Sequence, residues 1–207
     1  MLLVYNSIIV VIRRIRMGGK RGLDTQAILN TAAELAEEKG LENVTLLQVA
    51  NKLGIKSPSL YNHFSGFKEL SMGIAKLALD RLENTIRNAA VGRSKDDALM
   101  AIALAYREFA KKNPELYKAI LRFPDYKDDS IQQAGHSVVR ILYQVMEPYH
   151  FSKEETVHFV RGFRSALHGF VSLEEAGFFR GSEANVDKSF EISILRQIST
   201  LNKKEDA

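Results

Sequence analysis

Six polar side chains crowd into the eight residues from Lys56 to His63, and their chemistry is that of hydrogen bonding to nucleic acid. They are Lys56, Ser57, Ser59, Tyr61, Asn62 and His63. Leu60 and Phe64 stand four residues apart, which predicts one buried face of a short helix. Ser59, Asn62 and His63 then share the opposite face. Small polar groups on a short helix can reach base edges and phosphates in a major groove.

The residues before this segment predict the helix that positions it. Thr45 and Gln48 have the spacing of a capping box, so a helix should begin at Thr45. Val49 and Ala50 face inward, and Gly54 ends the helix. Ser57 is then expected to cap a second helix, with Pro58 at the first helical position and an end near Phe64. Two short helices joined by a turn with glycine form a helix-turn-helix.

The rest of the chain predicts an all-α protein with about nine helices. It has no cysteine, four prolines and 13 glycines in 207 residues, and alternating apolar and polar runs are scarce. A first helix from Asp24 or Thr25 to Lys39 should carry an inner stripe that includes Ile28 and Leu35. Further helices are expected over residues 66–90, 97–112, 115–122, 130–146, 153–177 and 187–201.

The net charge of +4 is concentrated near the N-terminus. Residues 1–68 contain nine Lys and Arg against five Asp and Glu, whereas residues 69–207 contain twenty of each kind. A basic end on a neutral body predicts an acidic partner for that end. Nucleic acid is the commonest such partner, and an anionic membrane surface is the second.

The segment VTLLQVANKLGIKSPSLYNHFSGFKEL, residues 44–70, resembles the DNA-binding domain of TetR-type transcriptional regulators. The resemblance covers about residues 20–79, and its motif lies in residues 45–64. It implies that phosphates are contacted by Thr45, Ser57 and Tyr61, and that the groove is contacted by Lys56, Ser59, Asn62 and His63. Lys68 stands near a position that often binds phosphate, although many relatives have that lysine one residue earlier, where this chain has Phe67.

The resemblance also implies how the protein works. Residues 20–79 would bind double-stranded DNA, and residues 80–207 would form a larger helical domain for regulation and dimerisation. The expected protein is a cytoplasmic homodimeric repressor without cofactor or metal, released from a palindromic operator by an unknown small-molecule effector. Residues 161–177 resemble the regulatory signature of one TetR subgroup with His-Gly in this helix, here His168-Gly169. A tryptophan common in that signature is absent, since the chain has none.

The regulatory half offers candidates for effector binding. Aromatic side chains on the central helices would suit a cavity for an apolar or aromatic effector, and ordinary core packing is the alternative. Polar residues from His158 to Glu175, among them Arg161 and Ser165, form a stripe for a ligand or a dimer partner, or else a partly solvated face. The candidate ligand-binding residues are Tyr106, Phe109, Tyr143, Phe163 and His168.

The last two helices offer candidates for dimerisation. Each carries an apolar stripe, and Gly169 would allow two backbones to approach closely. Either stripe could be core within one chain, and both together could build a two-fold four-helix interface. Because two half-sites are read by a dimer, we predict the interface. Its candidate residues are Phe159, Gly169, Phe170, Phe190, Ile194 and Ile198.

Two other interpretations involve different parts of the chain. A helical enzyme with a site near His158 and His168 lacks a nucleophile–base pair, a phosphate loop and a set of metal ligands. The apolar start of residues 1–16 is shorter than the roughly 20 residues that span a bilayer, so no stable membrane insertion is expected. We expect residues 1–19 to be an extension, with Met17 a plausible natural start. The alternative is an interfacial anchor with Arg13, Arg14 and Arg16 at the headgroups.

Overall fold

The computed structural model describes residues 24–122, 127–181 and 183–202, which form helices and no strands. The N-terminal extension lies outside the described residues. No helix in the described ranges combines the length and the apolar character needed to cross a membrane. The nine α-helices within these ranges are α1 (Thr25–Lys39), α2 (Leu46–Leu53), α3 (Ser57–Tyr61), α4 (Phe67–Ala90), α5 (Lys95–Lys112), α6 (Pro114–Leu121), α7 (Asp129–Met146), α8 (Lys153–Glu175) and α9 (Val186–Asn202). The predicted all-α fold is confirmed.

Local signals explain the first two helices. Asp24 caps α1 by accepting a hydrogen bond from the Gln26 N–H at 3.1 Å. The capping box of α2 is confirmed, because Thr45 Oγ1 accepts from the Gln48 N–H and Gln48 Oε1 accepts from the Thr45 N–H. Gly54 ends α2 with a φ of 69°, a left-handed conformation that glycine adopts without strain.

The third helix differs from the prediction at both ends. Lys56, not Ser57, is its cap, and the helix ends at Tyr61 instead of near Phe64. After Tyr61 the chain continues as a turn, in which the His63 and Phe64 N–H groups both donate to the Leu60 carbonyl at 2.9 Å. The next N–H group, that of Ser65, donates to the Glu69 carboxylate at 2.7 Å. Leu60 and Phe64 are both buried, as predicted.

The long helix α4 connects the helix-turn-helix to the rest of the protein. It packs against α1 on one side and against α5, α6 and α7 on the other. Leu70, Ile74 and Leu82 are buried on it. A second connection joins α1 to α4, where Arg81 donates to the Asn30 side chain at 2.9 Å. A movement of α4 would therefore carry α1 with it.

The last helix corrects the predicted roles of its apolar stripe. Phe190, Ile194 and Ile198 are 0%, 0% and 3% exposed within the single chain. They pack against α8 and α5, so they belong to the core of one chain and are not available to a partner. The reason is a non-local contact. Arg107 of α5 draws α8 and α9 together, and its guanidinium lies 5.0 Å from the Phe190 ring.

Candidate nucleic-acid interface and ligand cavity

The residues that the sequence predicted to contact DNA lie around α2, α3 and the start of α4. Six of the eight are exposed, and Tyr61 is 59% exposed. Ser57 and His63 are half-buried. His63 Nδ1 lies 3.0 Å from Thr25 Oγ1, so this imidazole also ties α3 to the start of α1. The exposed residues are Thr45, Lys56, Ser59, Tyr61, Asn62 and Lys68.

The lysines near this surface differ in whether they are available to a phosphate. Lys52 is neutralised by Glu38 at 2.7 Å and Glu34 at 3.4 Å. Its hydrogen bond to Glu38 raises the pKa of Lys52, and the same bond lowers the pKa of Glu38. Lys56 and Lys68 form no ion pair within the described part of the chain. These two ammonium groups are therefore available to phosphates.

A cavity of 520 Å³ lies in the larger helical part, enclosed by α4, α5, α6, α7 and α8. This volume is in the range of about 300–1,000 Å³ that small-molecule sites occupy. Most of its wall is aliphatic, and Tyr106 and His168 contribute a polar end. Aliphatic lining residues include Leu79, Leu82, Ile86, Ile102, Ile120 and Val138.

The polar end is a cluster of two tyrosines and one histidine. The hydroxyls of Tyr106 and Tyr117 each lie 2.9 Å from Nδ1 of His168 and 3.4 Å from each other. Burial raises the pKa of both tyrosines, so both hydroxyls keep their protons. Burial, and then the positive charge of Arg164, lower the pKa of His168. A neutral imidazole whose Nδ1 carries no proton can accept a hydrogen bond from one phenol group there, and the other tautomer would donate to a phenol oxygen instead.

We expect the stability of the protein to rise with pH because of His168. Its folded pKa lies below the unfolded value of about 6.5, so the unfolded chain binds more protons between the two values. The contribution of neutral His168 to the free energy of unfolding is complete above the unfolded pKa and is lost as the pH falls toward the folded pKa. Urea unfolding at about pH 7.5 and about pH 5.5 should show a smaller pH dependence for His168→Gln than for the wild type.

The control for this titration is His136→Gln, because His136 is exposed. It should keep the wild-type pH dependence when all proteins are compared at the same concentration. An unchanged dependence in His168→Gln would contradict a neutral, buried His168.

The other predicted effector residues are not brought together. Phe109 and Phe163 are buried, and neither lines the cavity. Tyr143 lines a neighbouring, more open cavity. His158 is exposed beside Glu154, ten residues before His168, or about 15 Å along the helix axis. The two histidines therefore do not form one site, and the described residues contain no cluster of three or more metal-ligating side chains.

Contacts that the sequence did not reveal connect the cavity to the helix-turn-helix. The Glu37 carboxylate of α1 accepts hydrogen bonds from the first turn of α6, at 3.3 Å from the Glu115 N–H and 2.9 Å from the Leu116 N–H. Glu115 in turn accepts from the Leu41 N–H at 2.7 Å. Burial alone would raise the pKa of Glu115, but this bond and Lys118 hold it below its ordinary value. Because α6 also supplies Ile120 to the cavity wall, it touches both regions.

Comparisons with known proteins match two stretches of the chain. Residues 28–70 match the family of bacterial regulatory proteins of the tetR family, and residues 99–196 match the tetracyclin repressor-like C-terminal domain. The HTH-type transcriptional regulator YobS of Bacillus subtilis is 30% identical over 190 residues, which are 91% of this chain and 98% of YobS. The HTH-type transcriptional regulator Rv0681 of Mycobacterium tuberculosis is 29% identical over 183 residues, 88% of this chain and 83% of Rv0681.

The fold is also similar to that of a solved structure, a TetR variant from Acinetobacter baumannii AYE in complex with minocycline. The TM-score is 0.64 at 18% identity, over 87% of this chain and 97% of that one. The helix-turn-helix, the larger helical domain and the matches together define a class, the DNA-binding transcriptional regulators. This chain belongs to the TetR family. The resemblance of residues 161–177 to the His-Gly subgroup stays a prediction.

Proposed function

We propose that the protein is a ligand-responsive repressor that binds a palindromic operator as a homodimer in the cytoplasm and leaves it when an effector fills the 520 Å³ cavity. The observation that supports this proposal most is that α6 contacts both the cavity and α1. The proposal keeps the domains predicted from the sequence, in which residues 20–79 bind DNA and residues 80–207 form the regulatory and dimerisation domain. A gel-shift titration with the DNA upstream of its own gene, with and without candidate effectors, tests it.

The DNA-binding part of the proposal rests on α3. Ser59, Tyr61 and Asn62 are exposed on it or directly after it, and Leu60 is fully buried beneath them. The buried leucine fixes the orientation of the polar face. In a helix-turn-helix this face enters the major groove, while residues at its edges bind phosphates. Thr45, Lys56 and Lys68 are exposed near the ends of the three surrounding helices, where phosphate contacts are expected.

We expect Lys56→Ala and Tyr61→Ala to weaken binding to this DNA about tenfold each, as removal of a charge-assisted or phenolic contact predicts. Lys56→Ala should also reduce the slope of log affinity against log salt by about 1 for each phosphate that the lysine neutralises in the wild type. Fluorescence anisotropy at several salt concentrations measures both quantities.

A matched control is Lys52→Ala, because Glu34 and Glu38 already neutralise that lysine. It should leave the salt slope unchanged. Equal slopes for the wild type and Lys56→Ala would remove Lys56 from the interface.

The dimer part of the proposal rests on a face of α8 and α9 that the single chain leaves uncovered. On α9, Ile192 and Leu195 are 37% and 52% exposed. On α8, Leu173 is exposed, and a Cβ at Gly169 would meet no atom within 4 Å. Exposed apolar side chains and an open glycine on two neighbouring helices suit close packing against a second copy. Gly169 thus remains a candidate, as do Phe159 and Phe170, which are half-buried on the same helix.

The ligand-responsive part rests on the connection through α6. An effector that binds more tightly to one position of α6 shifts the protein toward that position by its differential affinity alone. Glu37 and Glu115 transmit the shift, because their bonds fix α1 relative to α6. In a dimer this changes the separation of the two α3 helices, which must match about 34–36 Å, one turn of DNA. The Acinetobacter protein with minocycline shows that a chain of this fold holds a small molecule.

A further inference from the structure

A second, more open cavity lies beside the first one. It has a volume of 700 Å³ and lies against α7 and α8. Val139 and Arg164 line both cavities, so the two are neighbours across these side chains. Most residues that line the outer cavity are of polar types, whereas most residues that line the inner one are aliphatic. Besides the shared residues, it is lined by Gln133, His136, Ser137, Arg140 and Tyr143.

The charges around the two cavities are all of one sign. Arg161 and Arg164 line the inner cavity, and Arg140 and Arg164 line the outer one. No Asp or Glu of the described residues lines either cavity, and neither Arg161 nor Arg164 forms an ion pair within the described ranges. Arg140 is held by a hydrogen bond to Ser137 Oγ at 2.7 Å. Three guanidinium groups without a carboxylate create a positive potential that favours an anion.

The positive charge also reaches the inner cavity. Burial shifts the pKa of Tyr106 upward and that of His168 downward, and the charge of Arg164 acts to lower both. Arg164 therefore lies between an aliphatic chamber and a polar, open one. A guanidinium at such a boundary can hold a carboxylate or phosphate through paired hydrogen bonds while its stem packs on apolar groups.

We propose that the two cavities hold one amphipathic anion, with an aliphatic body in the inner cavity and a carboxylate or phosphate head at Arg164, where the two cavities meet. This names the effector class of the proposed ligand-responsive function and rests on it. Arg161 flanks this head on the inner side and Arg140 on the outer side. A cation would meet three like charges, and a neutral alcohol would leave the arginines without a counter-charge. The aliphatic wall contributes affinity, and the arginines select the head.

The test is direct binding by isothermal titration calorimetry to the full chain, with probes below their micelle concentrations. We expect dodecanoate and dodecyl phosphate to bind, dodecanol to bind at least about tenfold more weakly, and dodecyltrimethylammonium to be weaker still. The two anions separate a carboxylate-selective from a phosphate-selective head site.

Variants separate the head site from the apolar site. Arg164→Gln should weaken both anions about tenfold or more and leave dodecanol unchanged. Val138→Phe, which fills the inner cavity, should weaken every probe. Arg93→Gln is the control, because that exposed arginine bonds to the Ala89 carbonyl and lines neither cavity. Circular dichroism melting of each variant establishes that it is folded.

Three results would overturn the proposal: dodecanol binding as tightly as dodecanoate, anion binding indifferent to Arg164→Gln, or no binding of either anion. DNA titrations distinguish this failure from failure of the proposed function. If the anions bind as expected but do not release the DNA, the anion site stands and the ligand-responsive mechanism fails. If DNA binds but neither anion does, the regulator stands and the effector class is wrong.

Discussion

We expect Arg107→Met to lower the free energy of unfolding by about 3–5 kcal/mol, the usual cost of removing one partner of a buried ion pair. Arg107 is 7% exposed, and its guanidinium donates two hydrogen bonds to Glu174 at 2.5 and 2.6 Å and one to Asp187 at 2.7 Å. Without it, the Glu174 carboxylate keeps only Lys111, at 3.9 Å, among the ion pairs of the described residues. A chain of this size should melt lower by roughly 2–4 °C per kcal/mol.

The double variant Arg107→Met with Glu174→Met separates the penalty of an unpaired charge from the value of the pair. Apolar side chains of similar size often replace a buried ion pair at little cost. We therefore expect the double variant to recover most of the loss. Asp187→Asn is the surface control. The Asp187 side chain is 69% exposed, so this change should have little effect on the free energy of unfolding.

Urea unfolding followed by circular dichroism measures all three variants. If Arg107→Met is no less stable than Asp187→Asn, the ion pair does not hold α5, α8 and α9 together. If the double variant is as unstable as the single one, the unpaired Glu174 charge is not the cause. The loss of free energy of unfolding would then come from poorer packing and from the lost contact between the Arg107 guanidinium and the Phe190 ring.

The sequence was sufficient for the helix-turn-helix because its signals are local. Thr45 and Gln48 are three residues apart and cap each other, and Gly54 ends the same helix. Leu60 and Phe64 are one turn apart and are both buried. The end of α3, which was predicted too late, is also a local feature, since the His63 and Phe64 N–H groups share the Leu60 carbonyl in a turn. Propensity and spacing act over such distances.

The cavity and the connection between domains were not predictable in the same way. Glu37 caps α6 from 79 residues away, and Arg107 meets Asp187 from 80 residues away. No spacing rule links residues at such separations, because the tertiary fold alone brings them together. Tyr106 and His168 were candidates for effector binding and do line the cavity, but Phe109 and Phe163 look similar in the sequence and pack elsewhere.

The same limit explains the misplaced dimer stripe. Phe190, Ile194 and Ile198 have the spacing of one helix face, and periodicity says only that such a face is covered. It does not say whether the cover is another helix of the same chain or a second copy. The structure covers this face with α8 and α5 and leaves Ile192 and Leu195 uncovered on the other side of α9.

We expect the double variant Ile192→Glu with Leu195→Glu to be monomeric and to bind operator DNA about a hundredfold or more weakly than the wild type. Both side chains are exposed in the single chain, so the charges remain in water when the chains separate. In a dimer, the same charges would be buried in the interface without partners. The DNA affinity should fall because a dimer that contacts two half-sites binds about 10²–10⁴ times more tightly than a monomer that contacts one.

Sedimentation velocity gives the mass, and anisotropy with the upstream DNA gives the affinity. Val91→Glu is the matched control, an exposed apolar residue 69% accessible at the end of α4 and away from α8 and α9. It should remain dimeric. Phe190→Glu should behave differently from both, because it places a charge in the core of the single chain and should abolish folding before it affects association.

Gly169→Leu provides a test of the same face without any added charge. Its side chain enters open space in the single chain, and leucine favours the helix by comparison with glycine. The chain should therefore fold at least as stably as before, yet the added volume should hold a second α8 away and weaken the dimer. A dimer unaffected by both Gly169→Leu and the double glutamate variant would place the interface elsewhere. A wild-type chain that sediments as a monomer at micromolar concentration would refute the homodimer itself.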